Sequence, residues 1–149
     1  MKKLILLLLF IPLVFGCNSS VEDSTKNLNV IVINSNDTML FDKNVFYIEA
    51  NKKITLTLNH KGIMRKDIMG HNFVLLKRNV NIEAFLRKAM NSKENDYIPF
   101  GEETIAYTKL LGGGESDTIT FTIQDPGRYL FLCSFPNHFP MMKGELIVR

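Results

Sequence analysis

Four side chains carry groups that could act together on one ion. Cys133, His138 and Met142 fall within the ten residues Cys133-Ser134-Phe135-Pro136-Asn137-His138-Phe139-Pro140-Met141-Met142, and His71 stands 62 residues before the cysteine in Met69-Gly70-His71-Asn72. A thiolate, two imidazoles and a thioether make a trigonal site with one weak axial sulfur, the ligand set of a blue-copper electron-transfer centre. The thiolate, rather than the thiol, binds soft metals, which makes Cys133 the strongest of the four donors. Taken singly, each residue has an ordinary structural use, as a buried thiol, a hydrogen-bonded strand histidine or a core methionine. Their joint spacing points to a metal. Three donors come from one tight loop and the fourth from a distant strand, so one ion would tie the last two strands to the middle of the fold.

The segments that must position these donors have the period of half-buried strands. In Lys53-Ile54-Thr55-Leu56-Thr57-Leu58-Asn59, Ile54, Leu56 and Leu58 share one face; over 117–124, Ile119, Phe121 and Ile123 do the same. Further strands are expected over 28–33, 45–48, 71–76, 105–110, 129–133 and 145–148. Many short alternating strands between turns predict an all-β fold, a β-sandwich. Asp125-Pro126-Gly127-Arg128 places Pro and Gly at the centre of a type II turn. Gly112-Gly113-Gly114 lacks the Gly-Lys-Ser/Thr continuation of a phosphate loop and reads as a hairpin turn. One segment changes period: Ile82, Phe85, Leu86, Ala89 and Met90 have helical spacing, with Asn81 as N-cap and Val80 placed to staple onto Phe85. This predicts one short flanking helix, with Met90 in its core stripe rather than on a metal.

Several separate segments, in order, resemble the cupredoxins, and within them the azurins most closely. They are Met69-Gly70-His71-Asn72-Phe73-Val74-Leu75, Ala106-Tyr107-Thr108-Lys109-Leu110-Leu111-Gly112, Gly114-Glu115-Ser116-Asp117-Thr118-Ile119-Thr120-Phe121, Cys133-Ser134-Phe135-Pro136-Asn137-His138 and Met142-Lys143-Gly144. The resemblance covers 28–149 and implies a Greek-key sandwich holding one type 1 copper ion that alternates between Cu(I) and Cu(II). It implies His71, Cys133, His138 and Met142 as ligands, with the Gly70 carbonyl on the opposite axial side. Met142 has the family's spacing and precedes Lys143-Gly144, which leaves Met141 as a surface residue. Asn72 would hydrogen-bond across to the ligand loop near the sulfur, and Phe135 would join it around the ligands. The same resemblance places an apolar docking face around the His138 edge, formed by Met69, Pro136, Asn137, Phe139 and Met141. His60 stands where azurins have a buried, titrating histidine, but Lys61-Gly62 beside it reads as a turn, so a plain loop histidine is the alternative. The chain departs from azurins in lacking their disulfide cysteines, in carrying Asn137 for a small residue, and in its leader.

That leader begins Met1-Lys2-Lys3 and continues as almost unbroken hydrocarbon from Leu4 to Phe15. The run is short of the ~20 residues a transmembrane helix needs and has the form of an export signal. Leu13-Val14-Phe15-Gly16-Cys17 resembles a bacterial lipobox, although Phe15 is bulky for its place. Residues 1–16 are therefore read as a lipoprotein signal peptide, 17–27 as a lipid-anchored polar tether, and 28–149 as the single folded domain. The alternative is an ordinary secretory signal with an incidental cysteine. Of the two cysteines, Cys133 belongs to the metal site, so Cys17 has no disulfide partner; lipid attachment accounts for it.

Of 18 basic and 15 acidic residues, Lys2 and Lys3 lie in the leader, so the remainder is close to neutral. Nothing here suggests nucleic acid, and Lys52-Lys53 and Arg87-Lys88 read as solvated faces. The expected partners are redox proteins such as a cytochrome, oxidase or reductase, together with a lipid membrane through Cys17. The expected setting is the bacterial cell envelope, facing the periplasm or exterior. A second class, copper storage, delivery or resistance, would use the same ligands. Catalysis by a multicopper enzyme would need further histidines, and the chain has only His60, His71 and His138. No enzymatic activity is expected. Expressed at full length in a bacterium, the protein should partition with membranes and carry a lipid on Cys17, and Cys17→Ala should release it or block its processing. Mass spectrometry finding an unmodified cysteine, or a cut elsewhere, would end the lipoprotein reading.

Overall fold

The computed structural model describes residues 29–149; the leader, the tether and Cys17 lie outside the described residues. Two sheets pack face to face. The first has strand order β2-β1-β4-β7 and the second β3-β9-β8-β5-β6. The strands are β1 (Val30–Asn36), β2 (Leu40–Phe41), β3 (Val45–Ile48), β4 (Lys53–His60), β5 (Val74–Leu76), β6 (Thr104–Tyr107), β7 (Ser116–Thr122), β8 (Gly127–Leu132) and β9 (Lys143–Val148). β1 runs parallel to β4 and β3 parallel to β9, whereas the other pairs are antiparallel. Among the described residues, no helix is long and apolar enough to cross a membrane.

Alternation builds the core as expected. Ile31, Ile33, Ile54, Leu56 and Leu58 from the first sheet meet Ile48, Phe73, Leu75, Phe131, Leu146 and Val148 from the second. Phe131 is the aromatic centre, with ring centroids 5.1 Å from Phe73, 5.7 Å from Phe46 and 5.8 Å from Phe41. Gly144 lies opposite Phe131 in the β8–β9 register, and a methyl there would collide with that ring and with the Asn44 carbonyl. This close approach is a physical reason for glycine after Met142-Lys143.

A second apolar cluster forms on the outer face of the second sheet. Helix α2 (Ile82–Met90) lays Phe85 and Ala89 against Val74, Leu76, Leu132 and Ile98. Its N-terminus is capped by Asn81, whose side-chain oxygen accepts from the Ala84 N–H at 3.0 Å, and Val80 packs against the same cluster as Phe85. Met90, expected in the core stripe, is 59% exposed instead. It ends the helix and lines an open groove beside Phe135, Pro136 and Phe139 of the ligand loop instead of entering the core. Strand β5, covered by the core on one face and α2 on the other, is buried at all three positions.

Other expectations change where tertiary pairing overrides local pattern. The strand expected over 71–76 is regular only at Val74–Leu76, with His71 in an isolated bridge to Leu111. The one expected over 105–110 ends at Tyr107. β2, a single turn α1 (Lys66–Met69) and a 3-10 turn (Lys93–Asn95) have too few residues to show a period. Around Pro126 the chain bends without type II geometry: Gly127 has φ +151, and the Tyr129 hydroxyl donates to the Asp125 carbonyl at 2.8 Å. Gly112 to Glu115 does form a turn, with Gly114 at φ +79 and the Glu115 N–H donating to the Gly112 carbonyl at 3.0 Å. It carries the chain between the two sheets, however, rather than joining paired strands as a hairpin.

Because Phe131 joins both sheets, Phe131→Ala should cost about 3–5 kcal/mol. Urea unfolding of the copper-free domain measures this; a loss under ~1 kcal/mol would mean the ring is not the packing centre.

Candidate metal centre

The ligand loop grows directly from a strand pair. Leu132 opposite Lys143 is the last pair of the β8–β9 ladder, and one residue beyond it the Cys133 N–H donates to the Met142 carbonyl at 2.9 Å. Between them, the His138 N–H donates to the Phe135 carbonyl at 3.1 Å and the Met142 N–H to the His138 carbonyl at 2.8 Å. Asn137 takes a left-handed φ of +66 within this curl, a conformation asparagine tolerates better than most residues. The result buries Cys133, His138 and Met142, while Met141 is 58% exposed. The fourth residue arrives from outside the hairpin. His71 exchanges backbone hydrogen bonds of 3.0 and 2.8 Å with Leu111, which fixes its position beside the loop.

The donor atoms converge. The Nδ1 atoms of His71 and His138 are 3.2 Å apart, Cys133 Sγ is 3.6 Å from His138 Nδ1, and all three donor atoms lie within 4.8 Å of one another. The Gly70 carbonyl stands 3.9 Å from the sulfur. His71 Nε2 lies 2.9 Å from the Asn36 carbonyl. It can only donate to that oxygen, so the lone pair sits on Nδ1 and faces the other donors. Two metal–nitrogen bonds of about 2.0 Å readily span nitrogens at this separation. The residues therefore fit one small, soft ion bound through sulfur and two imidazoles. At Gly70 a side chain would collide with the Lys66 carbonyl and Leu110, which explains a glycine immediately before the first histidine.

A ring of hydrogen bonds holds these groups from behind. The Asn72 side-chain amide donates to Ser134 Oγ and to the Asp96 carbonyl, both at 2.9 Å, and its oxygen accepts the Ser134 N–H at 2.8 Å. The backbone N–H groups of Asn72 and Phe135 face the sulfur and favour the thiolate. Burial nevertheless dominates, pushing the Cys133 thiol up to about 11. It brings both His71 and His138 down to about 4, with the nearby His60 acting in the same direction.

The remaining predicted residues surround this centre unevenly. The Phe135 ring packs on His138 at 4.7 Å. Pro136 and Phe139 are half-buried, Asn137 and Met141 exposed, and Met69 half-buried at the end of α1. His138 itself is only 3% exposed. His60 is no loop residue: it ends β4, is buried, and its ring lies 4.4 Å from that of His71. Sequence reasoning missed Asn36, Ser134, Asp96 and Tyr97. Ser134 was visible as the residue after the cysteine, but Asn36 and, in its contact with Asn72, Asp96 act through backbone carbonyls, which carry no residue-type signal.

Comparison with known proteins agrees with this geometry. A model of copper-binding proteins of the plastocyanin/azurin family matches residues 28–149. Azurin from Achromobacter denitrificans is 41% identical over 120 residues, covering 76% of this chain and 80% of its own. Azurin from Pseudomonas aeruginosa is 36% identical over 123 residues, covering 78% and 82%. The crystal structure of dithionite-reduced auracyanin from Roseiflexus castenholzii superimposes with a TM-score of 0.73 at 34% identity, covering 81% of this chain and 97% of that one. The chain belongs to the plastocyanin/azurin family of copper-binding proteins. It is a blue-copper electron-transfer protein, and its cofactor is one copper ion for which His71, Cys133 and His138 are grouped.

Between about pH 4 and 11 both imidazoles are neutral while the thiol keeps its proton. Uptake of one cuprous ion should therefore release a single proton, and apparent affinity should rise about tenfold per pH unit in that window. Calorimetry in buffers of different ionisation enthalpy counts the protons; two or more would mean an imidazole is charged before binding.

Proposed function

We propose that this protein is a membrane-tethered single-electron carrier of the bacterial cell envelope, rather than an enzyme. The observation that carries the reading is the convergence of three buried donors held by the chain's own hydrogen bonds. Copper bound to a thiolate, two neutral imidazoles and a weak thioether supplies a one-electron couple whose two states share the same ligands. Each residue then has a separate role. Cys133 Sγ and the Nδ1 atoms of His71 and His138 would hold the copper, with the Met142 thioether and the Gly70 carbonyl as weaker donors. Asn36 orients the His71 ring, and Asn72 ties the His71 segment to Ser134 beside the sulfur. Phe135 supports the face of His138. Because these positions are over-determined by packing, little protein motion would accompany gain or loss of an electron.

Exchange with redox protein partners is assigned to the loop around His138, where Met69, Pro136, Asn137, Phe139 and Met141 present little charge. Export, and attachment at Cys17, rest on the leader sequence alone. Storage or delivery of copper is the second reading, but a metal depot needs an accessible, exchanging site, whereas Cys133 and Met142 are fully buried and His138 nearly so.

Copper-loaded domain should be intensely blue. Cys133→Ser should abolish the visible band, and Met142→Ala should keep it with an altered potential, since the axial bond is weak. Met141→Ala should change the spectrum little. Met141→Lys should leave the band intact yet slow electron self-exchange by about tenfold or more, because two copies meeting at that face would oppose like charges. A blue band surviving in Cys133→Ser would remove the thiolate from the site. Unaltered self-exchange in Met141→Lys would move the electron route to another face.

A further inference from the structure

Asp96 and Tyr97 follow the 3-10 turn after α2, and both take left-handed backbone conformations, with φ +51 and +61. Such a conformation is sterically unfavourable for a bulky aromatic residue and persists only where the surroundings impose it. Here the surroundings are the supports of the metal centre. The Asp96 carbonyl accepts from the Asn72 side chain at 2.9 Å, while its carboxylate Oδ2 accepts the Leu110 N–H at 3.1 Å. Leu110 abuts Gly70, and the next residue, Leu111, makes both backbone hydrogen bonds to His71. Tyr97 turns its buried ring edge-on to Phe135, centroids 5.1 Å apart, and Phe135 packs on His138. Two consecutive residues thus reach both histidines and the amide that ties their segments together, with no contact to a donor atom.

The left-handed elbow makes this triple contact possible. The segment is also anchored on its far side. The Tyr97 N–H donates to the Ser92 carbonyl at 2.9 Å, two residues past α2, and the Asn95 side chain donates to the Ile98 carbonyl at 2.6 Å, which clasps the elbow from its two flanks.

We propose that Asp96 and Tyr97 are positioning residues of the copper centre: they hold His71 through Leu110 and Leu111, and His138 through Phe135. This rests on the copper reading above, and the wild-type protein tests that reading separately, since a wild type without a blue band defeats it before any variant is compared.

The proposal is tested with Asp96→Ala, Asp96→Asn and Tyr97→Leu, beside Ile54→Val as a control that loosens the core away from the site. Asp96→Ala keeps the backbone carbonyl but loses the acceptor for Leu110. Its Leu110 amide should exchange hydrogen at least about tenfold faster in the copper-free protein, a readout independent of metal, as expected for an opened hydrogen bond. Copper-loaded, it should show a shifted reduction potential and an altered copper hyperfine splitting. Asp96→Asn retains an oxygen acceptor and tolerance of left-handed backbone, and should restore both toward wild type. Tyr97→Leu should shift the potential while leaving Leu110 exchange unchanged, separating the two arms. Ile54→Val should lower the unfolding midpoint without moving either spectroscopic quantity. The proposal is overturned if Asp96→Ala and Tyr97→Leu keep the wild-type potential and hyperfine splitting, or if Ile54→Val moves them equally.

Discussion

The constraint on which the structure depends is that three metal-binding groups are buried together at one end of an apolar sandwich. A buried thiol and two buried imidazoles are tolerable only when neutral, and burial drives all three that way. Neutrality leaves lone pairs that must be aimed. The Asn36 carbonyl takes the Nε2 proton of His71 and turns its Nδ1 toward His138 and the sulfur. The backbone N–H groups of Asn72 and Phe135 face the sulfur and prepare its environment for a thiolate. Soft, uncharged donors buried together describe a site that favours a soft ion.

The sandwich supplies what a loop alone could not. Strands β8 and β9 set the spacing of Cys133 and Met142 by the register of their ladder, because these residues follow its last pair. The His71 segment is pinned from two directions, by Leu111 on its backbone and by Asn72 bridging to Ser134. Rigidity here comes from redundancy: Cys133, His71 and His138 are each located by at least one backbone contact and one side-chain contact. An electron carrier benefits from this, since reorganisation of the surroundings slows transfer, whereas a metal store would gain from an open, adaptable rim.

Two adjacent methionines show how finely burial divides roles. Met141 and Met142 are chemically the same, yet one is 58% exposed and the other fully buried. Both N–H groups bond to the His138 carbonyl, but the Met142 carbonyl also accepts the Cys133 N–H, which places Met142 against the end of the β8–β9 ladder. The sequence-level choice of Met142 rested on spacing before Lys143-Gly144, and the packing of Gly144 against Phe131 gives that spacing its mechanical basis.

The sequence by itself determined the donor set, the sandwich and the flanking helix. Alternating β-branched and aliphatic residues bury on one face whatever their partners, and Cys133, His71, His138 and Met142 are rare residue types at telling intervals. Asn81 capped the helix as its chemistry requires. Only the tertiary structure decided matters that depend on which backbone groups meet. Pairing converted the strand expected over 71–76 into an isolated bridge followed by three doubly buried residues. Packing left Met90 on an open groove beside the ligand loop, and the crossing between sheets replaced the expected hairpin at Gly112 to Glu115. His60 became a buried neighbour of His71 because β4 runs its full length to the metal pole. The supports from the Asn36 and Asp96 backbones were illegible for a simpler reason: every residue carries a carbonyl, so only the folded chain shows which of them face the site.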